Sequence, residues 1–367
     1  MPSNLYCDPM WPAGEIDFQH VERILVVKLS SLGDIVHATP CLRSLRGACP
    51  SAEIVLAVEG RFAPLVRESP WIDRLIETDA SSGPLSSFLE ARRRLAGIGS
   101  PRFDLAIDLQ GLRRSAAWVY ASRARVQTGL GGIRPGWQCV QRPDFSRHAV
   151  DICASVLENA GIAVIDRRPE ITVSAAADRE LDVLLARCSV ASQGFVLVNP
   201  FSRWPSKAWP LDRYAELLGW MRSQCSVSLL IVGGPGEEDQ AARLMDLLEP
   251  STAISLVGQL SLPQALCLYR RARLMVTGDS GPMHAAAALG TQVIALFGPT
   301  LPEHTGPVGD EHIVLQAKRP PAHHTYRTDR SGEYIRALEV ASVRAAVERV
   351  LINPAASSES FVRPGRL

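Results

Sequence analysis

Lys28-Leu-Ser-Ser-Leu-Gly-Asp34 leaves a short β-branched run and opens a text with Ile35, Ala38, Leu42 and Leu45 at helical spacing. Small residues let backbone N–H groups face a ligand, and the first turn of a helix favours negative charge. Asp34 stands there, either as a helix cap or as a general base for a hydroxyl proton. A second loop, Asn199 to Pro210, follows another apolar run and carries Ser202, Arg203 and Lys207. Hydroxyl, guanidinium and ammonium donors suit phosphate oxygens, and the alternative is a solvated surface loop. Lysine is unusual in this chain, where only Lys28, Lys207 and Lys318 are lysines and every other basic residue is arginine. An ammonium is a compact, strongly hydrated charge, so its use where arginine is the habit singles out Lys207 and Lys28.

The third candidate, Val276 to Gly290, reads as a strand, a turn and an alanine-rich helix closed by Gly290. Ser280 is placed to cap that helix, Gly281 and Pro282 open it, and a diphosphate there would meet unpaired N–H groups. Asp279 would repel phosphate at that point, so it is expected to orient the loop or a sugar. His284, one turn in, reads either as a satisfied buried histidine or as a ligand contact. Thr300 and His304 follow in a Gly/Pro-rich loop. Glu237 and Glu238 open a further helix after Gly233-Gly234, where acidic residues serve the dipole or accept from ribose hydroxyls.

These loops need a scaffold that holds them at strand ends. The runs at 24–28, 53–58, 74–78 and 103–111 alternate with helical text, as do those at 195–201, 228–234, 254–258, 273–279 and 292–298. Continuous apolar strands separated by helices imply parallel sheets covered on both faces. The expected fold is therefore α/β: two Rossmann-like, doubly wound domains whose strand ends face a central cleft, the place where open sheets bind ligands. The expected parts are an extension over 1–22, a first domain over 23–175, a second over 176–350 and a tail over 351–367. The Gly-, Pro- and Arg-rich stretch from Gly129 to His148 reads as irregular, and Pro210 as a first-turn proline.

Composition narrows the function. The chain has 367 residues, 46% hydrophobic and 21% charged, which fits a globular protein of two domains. With 39 basic and 38 acidic residues, no basic surplus marks a nucleic-acid binder. The eight cysteines form no CxxC or Cys/His cluster, which argues against a zinc site and a disulfide framework and fits a reducing cytoplasm. No secretory signal and no membrane-spanning run is read. GxGxxG and GxxxxGK[ST] are both absent, excluding a dinucleotide fingerprint and a P-loop.

Taken in order, ILVVKLSSLGDIVHATPCLRSLR, the Ser/Arg/Lys loop ending in KAWP, GGPGEE and GDSGPMHAAAALGTQVIALFGPT resemble glycosyltransferase family 9, the ADP-heptose:lipopolysaccharide heptosyltransferases. The resemblance implies a GT-B fold, with the acceptor on the N-terminal domain and the sugar nucleotide on the C-terminal one. It implies a cytoplasmic, inverting transferase of lipopolysaccharide biosynthesis in the Gram-negative cell envelope; no cofactor is expected, and because Lys207 and the helix after Asp279 offer donors to the diphosphate while no DxD pair stands at a strand end in the expected place, no metal is expected either. Asp34 matches the catalytic aspartate and Lys207 the lysine that neutralises the departing diphosphate. Ser202, Arg203, Asp279, Ser280, Gly281, Pro282 and His284 match the donor site, and Glu237 or Glu238 would hold the adenosine ribose. Ser31, Gly33 and Arg113 are expected at the acceptor, a lipid-anchored glycan such as Kdo-lipid A or heptosyl-Kdo-lipid A. Peripheral contact with the inner membrane would run through Arg92 to Arg94 and Arg113–Arg114. The rival readings are a GT-B nucleotide-sugar 2-epimerase, transfer to a protein hydroxyl, and a two-lobed binding protein.

Overall fold

The computed structural model describes residues 17–79, 83–98, 102–132, 134–321 and 324–352. Most of the expected extension and nearly all of the expected tail lie outside these residues. The chain divides into two compact units, Met1–Ser174 and Ala175–Leu367.

In the first unit the order is β1 (Arg23–Val27), α1 (Leu32–Ala48), β2 (Glu53–Glu59), β3 (Arg74–Thr78), α2 (Pro84–Gly97), β4 (Leu105–Asp108), α3 (Arg113–Ser122), β5 (Val126–Leu130), β6 (Cys139–Gln141) and α4 (Ala149–Asn159). The strands form a parallel sheet in the order β3-β2-β1-β4-β5-β6. Every residue of β1 and β4 is buried, as continuous apolar text requires of a strand covered on both sides. Leu25, Val27, Val55, Ala106 and Trp118 lie in one core beneath α2 and α3.

The stretch from Gly129 to His148 is irregular over most of its length, but it begins with the end of β5 and contains the three-residue β6. Its glycine content has a packing cause: a Cβ at Gly129 would stand 2.4 Å from the Asp108 carbonyl oxygen. Glycine is what lets β5 run against β4 there, so a residue read as a loop marker marks a close strand approach.

The second unit contains α5 (Ala175–Arg187), β7 (Val196–Asn199), α6 (Leu211–Gln224), β8 (Leu229–Ile231), α7 (Glu238–Asp246), β9 (Ile254–Ser255), α8 (Leu262–Arg271), β10 (Leu274–Gly278), α9 (Gly281–Ala288), β11 (Gln292–Leu296), α10 (Pro302–Thr305), β12 (Ile313–Leu315), α11 (Glu333–Arg336) and α12 (Val340–Leu351). Its parallel sheet runs β12-β11-β10-β7-β8-β9. Read from each unit's own first strand, both sheets have the order 3-2-1-4-5-6. Pro210 precedes α6 as its cap residue and is not within its first turn.

In this topology the connections leave first and fourth strands in opposite directions, opening a crevice at their carboxyl ends. Those strands are β1 and β4 in one unit, β7 and β10 in the other. The segments that follow them, loop or first helical turn, carry Asp34, Arg114, Lys207 and Asp279.

Candidate active site

In the first unit Asp34 is the third residue of α1, and its Oδ2 accepts from the Ser31 backbone N–H at 3.0 Å and the Ser31 hydroxyl at 2.6 Å. This is capping-box geometry, so the cap and the candidate base are one side chain. Asp34 is half-buried, Gly33 buried and Ser31 exposed. The loop is held from behind: Gln110 accepts from the Ser30 N–H at 3.1 Å, and Arg114 donates to the Ser30 hydroxyl at 2.7 Å. Arg114 also pairs at 2.8 Å with Glu59, only 1% exposed at the end of β2, whose other oxygen takes Arg61 at 2.7 Å. Arg113 is exposed and lines a groove between α2 and α3.

Beneath this loop lies Lys28, fully buried, donating to the Leu109 carbonyl at 2.8 Å with Cys153 Sγ at 4.0 Å. Burial acts to lower its pKa, but Cys153, Asp34 and Asp108 together raise it, so the ammonium stays charged. Asp108 is pushed up to about 6 by burial, against the opposing pull of the Gly111 and Gln110 N–H groups, the Ser115 hydroxyl and Lys28. Its bonds to Gln110, Gly111 and Ser115, at 2.8, 3.0 and 2.8 Å, fix the turn from which Arg114 projects.

In the second unit Lys207 ends a short 3-10 turn, Pro205–Lys207, and its Nζ lies 2.6 Å from Asp279 Oδ2. The same oxygen accepts from the Thr300 hydroxyl at 2.7 Å, and His284 Nε2 is 4.0 Å from Oδ1. The Lys207 ammonium also lies 4.2 Å from the centre of the Tyr326 ring, a cation–π contact. Tyr326 is held by its carbonyl, which accepts from Ser206 Oγ at 2.8 Å. Asp279 thus gathers an ammonium, a hydroxyl and an imidazole around one carboxylate immediately before α9. Ser280 occupies the cap position of α9, but its side chain makes no cap bond; its Oγ lies 3.3 Å from Thr277 Oγ1. Gly281 and Pro282 begin the helix and His284 is buried on it.

The neighbouring loops contribute less direct contacts. Ser202 Oγ accepts from the Trp204 N–H at 3.2 Å, shaping the turn, while Arg203 is exposed and lies 5.7 Å from the Trp204 ring centre. Glu237 and Glu238 accept from the Gly234 and Gly236 N–H groups, each at 2.7 Å. Burial raises the Glu237 pKa, the Gly234 bond lowers it and Glu238 raises it further. Arg114, read in the sequence with Arg113 as facing anionic lipid, is instead turned to Glu59 and Ser30, and Tyr326 is a contact that the sequence reading does not include. The repeated basic pair at 113–114 was a signal for Arg114, whereas nothing local marks Tyr326.

Tandem doubly wound units of this order, with an ammonium and a helix N-terminus at the crevice of the second, define a GT-B-type protein. The profile of glycosyltransferase family 9 (heptosyltransferase) matches residues 92–335, and the chain belongs to that family. Lipopolysaccharide heptosyltransferase 1 of Escherichia coli K12 is 26% identical over 317 residues, 81% of this chain and 94% of the relative. The fold of a glycosyl transferase family 9 protein from Veillonella parvula matches with a TM-score of 0.83 at 24% identity, covering 92% of this chain and 98% of that one. An E. coli heptosyltransferase solved with ADP-2-deoxy-2-fluoro heptose matches with a TM-score of 0.66 at 23% identity over 89% and 99% of the two chains. Among the described residues, no helix is long and apolar enough to cross a membrane.

Proposed function

We propose that this chain transfers heptose from ADP-heptose, with inversion, to a lipopolysaccharide inner-core acceptor, Kdo-lipid A or heptosyl-Kdo-lipid A, at the cytoplasmic face of the inner membrane. The observation that carries the reading is the cluster at the β7/β10 crevice: Lys207, Asp279 and Thr300 joined by hydrogen bonds immediately before α9. An ammonium and unpaired helix N–H groups are what a departing diphosphate needs, and their value rises as its charge develops. Asp279 holds Lys207 in place before the donor arrives, which lowers the cost of ordering that side chain.

The acceptor hydroxyl attacks the anomeric carbon, the carbon–oxygen bond to phosphate breaks, and ADP leaves with the electron pair. The hydroxyl proton passes to Asp34, whose carboxylate is oriented by Ser31 and flanked by the Lys28 ammonium. Because Lys207 and α9 supply the positive potential, the transfer is proposed to run without a metal. Ser202, Arg203, Ser280, Gly281, Pro282 and His284 are assigned to the donor, with Glu237 or Glu238 on the ribose; Ser31, Gly33 and Arg113 are assigned to the acceptor.

The test is ADP release from ADP-heptose with and without Kdo-lipid A, in chelator. Acceptor-dependent release supports the proposal. Turnover of donor alone would replace it with a nucleotide-sugar epimerase, and turnover with UDP- or GDP-sugars only would remove the ADP assignment.

A further inference from the structure

The acceptor-side unit has a second feature, of which the acceptor assignment uses only Arg113. Between α2 and α3 lies an open groove of about 540 Å³, floored by Phe88, Ala117 and Tyr120 and edged by Leu85, Arg113 and Arg134. Its volume falls in the roughly 300–1,000 Å³ range of small-ligand sites. The floor is built: Tyr120 donates its hydroxyl to the Pro135 carbonyl at 3.1 Å, and its ring centre lies 5.7 Å from that of Trp137. The apolar lining continues outward along α2, where Leu85 is 73% and Leu89 61% exposed, one turn apart. Two large exposed aliphatics beside an apolar groove are costly in water unless something covers them.

The rim gives the polarity of the occupant. Among the described residues neither Arg113 nor Arg134 has an ion-pair partner, and Arg134 Nε is buried without a hydrogen bond. Arg114, next along α3, contrasts by being paired with Glu59 and bonded to Ser30. The groove is therefore one residue of α3 away from a side chain that braces the Asp34 loop. An apolar trough edged by two guanidinium groups without a carboxylate partner, one of them 6.0 Å from the centre of the Trp137 ring, is complementary to an acyl chain carrying a phosphate or carboxylate head.

We propose that the α2–α3 groove binds an acyl chain of the anionic, lipid-anchored acceptor, so that the protein reads the lipid as well as the sugar. This rests on the acceptor assignment above, and the experiment separates the two. Dodecyl phosphate, kept monomeric, is titrated into the full chain by calorimetry. Saturable binding is expected, with inorganic phosphate and the uncharged dodecyl maltoside each weaker by about tenfold or more. Ala117→Trp fills the trough and Leu85→Glu places a repelling charge on an exposed site that tolerates it. Each should weaken dodecyl phosphate binding by about tenfold and raise the ratio of KM for acylated over de-acylated acceptor. No saturable binding, or binding that neither variant changes, overturns the groove as a site. Lost dodecyl phosphate binding with an unchanged KM ratio overturns the acceptor as its occupant. Saturable binding in a wild-type protein that transfers to neither acceptor would leave the groove standing and sink the transferase reading.

Discussion

The two units have the same strand order and carry charged side chains at the same topological point, yet the two crevices are built differently. In the first, a carboxylate, Asp34, faces outward from a helix start while the matching ammonium, Lys28, is buried behind the loop. In the second, the ammonium of Lys207 and the carboxylate of Asp279 meet directly, with Thr300 completing the group. A shared fold therefore fixes where a ligand can sit, and the loops alone decide whether the site favours a proton leaving or a negative charge arriving. A carboxylate held by Ser31 with a buried charge behind it suits proton acceptance. An ammonium held by one carboxylate that a diphosphate can compete with suits a leaving group.

Breaking the first crevice should have the largest effect. Asp34→Asn removes the base and keeps the volume, so transfer should fall by about 100- to 10,000-fold. ADP-heptose affinity, measured by calorimetry, should stay within a few-fold, because the donor is assigned to the other unit. Transfer near the wild-type rate would leave Asp34 as the capping-box residue it also is.

Breaking the second should change a different parameter. Lys207→Ala is expected to lower kcat by about 100- to 1,000-fold while donor KM rises much less, since the charge matters most as ADP departs. Lys207→Arg tests geometry, because a planar fork cannot occupy the space between Asp279 and the Tyr326 ring as an ammonium does. A change confined to KM would make Lys207 a ground-state phosphate contact.

A smaller effect sharpens the contrast through pH. Asp108, under the first crevice, has a folded pKa of about 6 against an unfolded value near 4, so between them the folded state binds more protons. Stability from this group is full below pH ~4 and declines as pH rises through about 6, by on the order of 3 kcal/mol. Urea unfolding from pH 4 to 7 should show wild type losing ground relative to Asp108→Asn across that window. Parallel curves would mean that the carboxylate's four partners, Gln110, Gly111, Ser115 and Lys28, fully offset its burial.

The weakest expected effect is at the surface of the first unit. Of the three arginines on α2, Arg94 lies 3.5 Å from Glu90, whereas Arg92 and Arg93 are exposed. Each exposed residue should contribute about 1 kcal/mol to binding anionic vesicles at low salt. Replacing both by glutamine should weaken sedimentation with such vesicles, and added salt should abolish the difference. Equal sedimentation of the variant would remove α2 as a docking face.

The text of the chain determined the alternation of strands and helices, because buried parallel strands and amphipathic helices leave periodicities of their own. It also marked the segments proposed to hold the chemistry, since Asp34, Lys207 and Asp279 each sit where an apolar run gives way to a helix start. What tertiary structure decided was the partners. Thr300 is 21 residues from Asp279 and Tyr326 is 119 from Lys207, and only the return of the chain after β11 and β12 brings them to one carboxylate and one ammonium. Arg113 and Arg114 are equivalent in sequence, but α3 turns them by a helical step of about 100°. One therefore braces the Ser30 loop while the other edges a groove. Gly129 gave a misleading loop signal because the requirement it meets, a strand 2.4 Å from where its Cβ would be, belongs to β4 and not to its own neighbours in the chain.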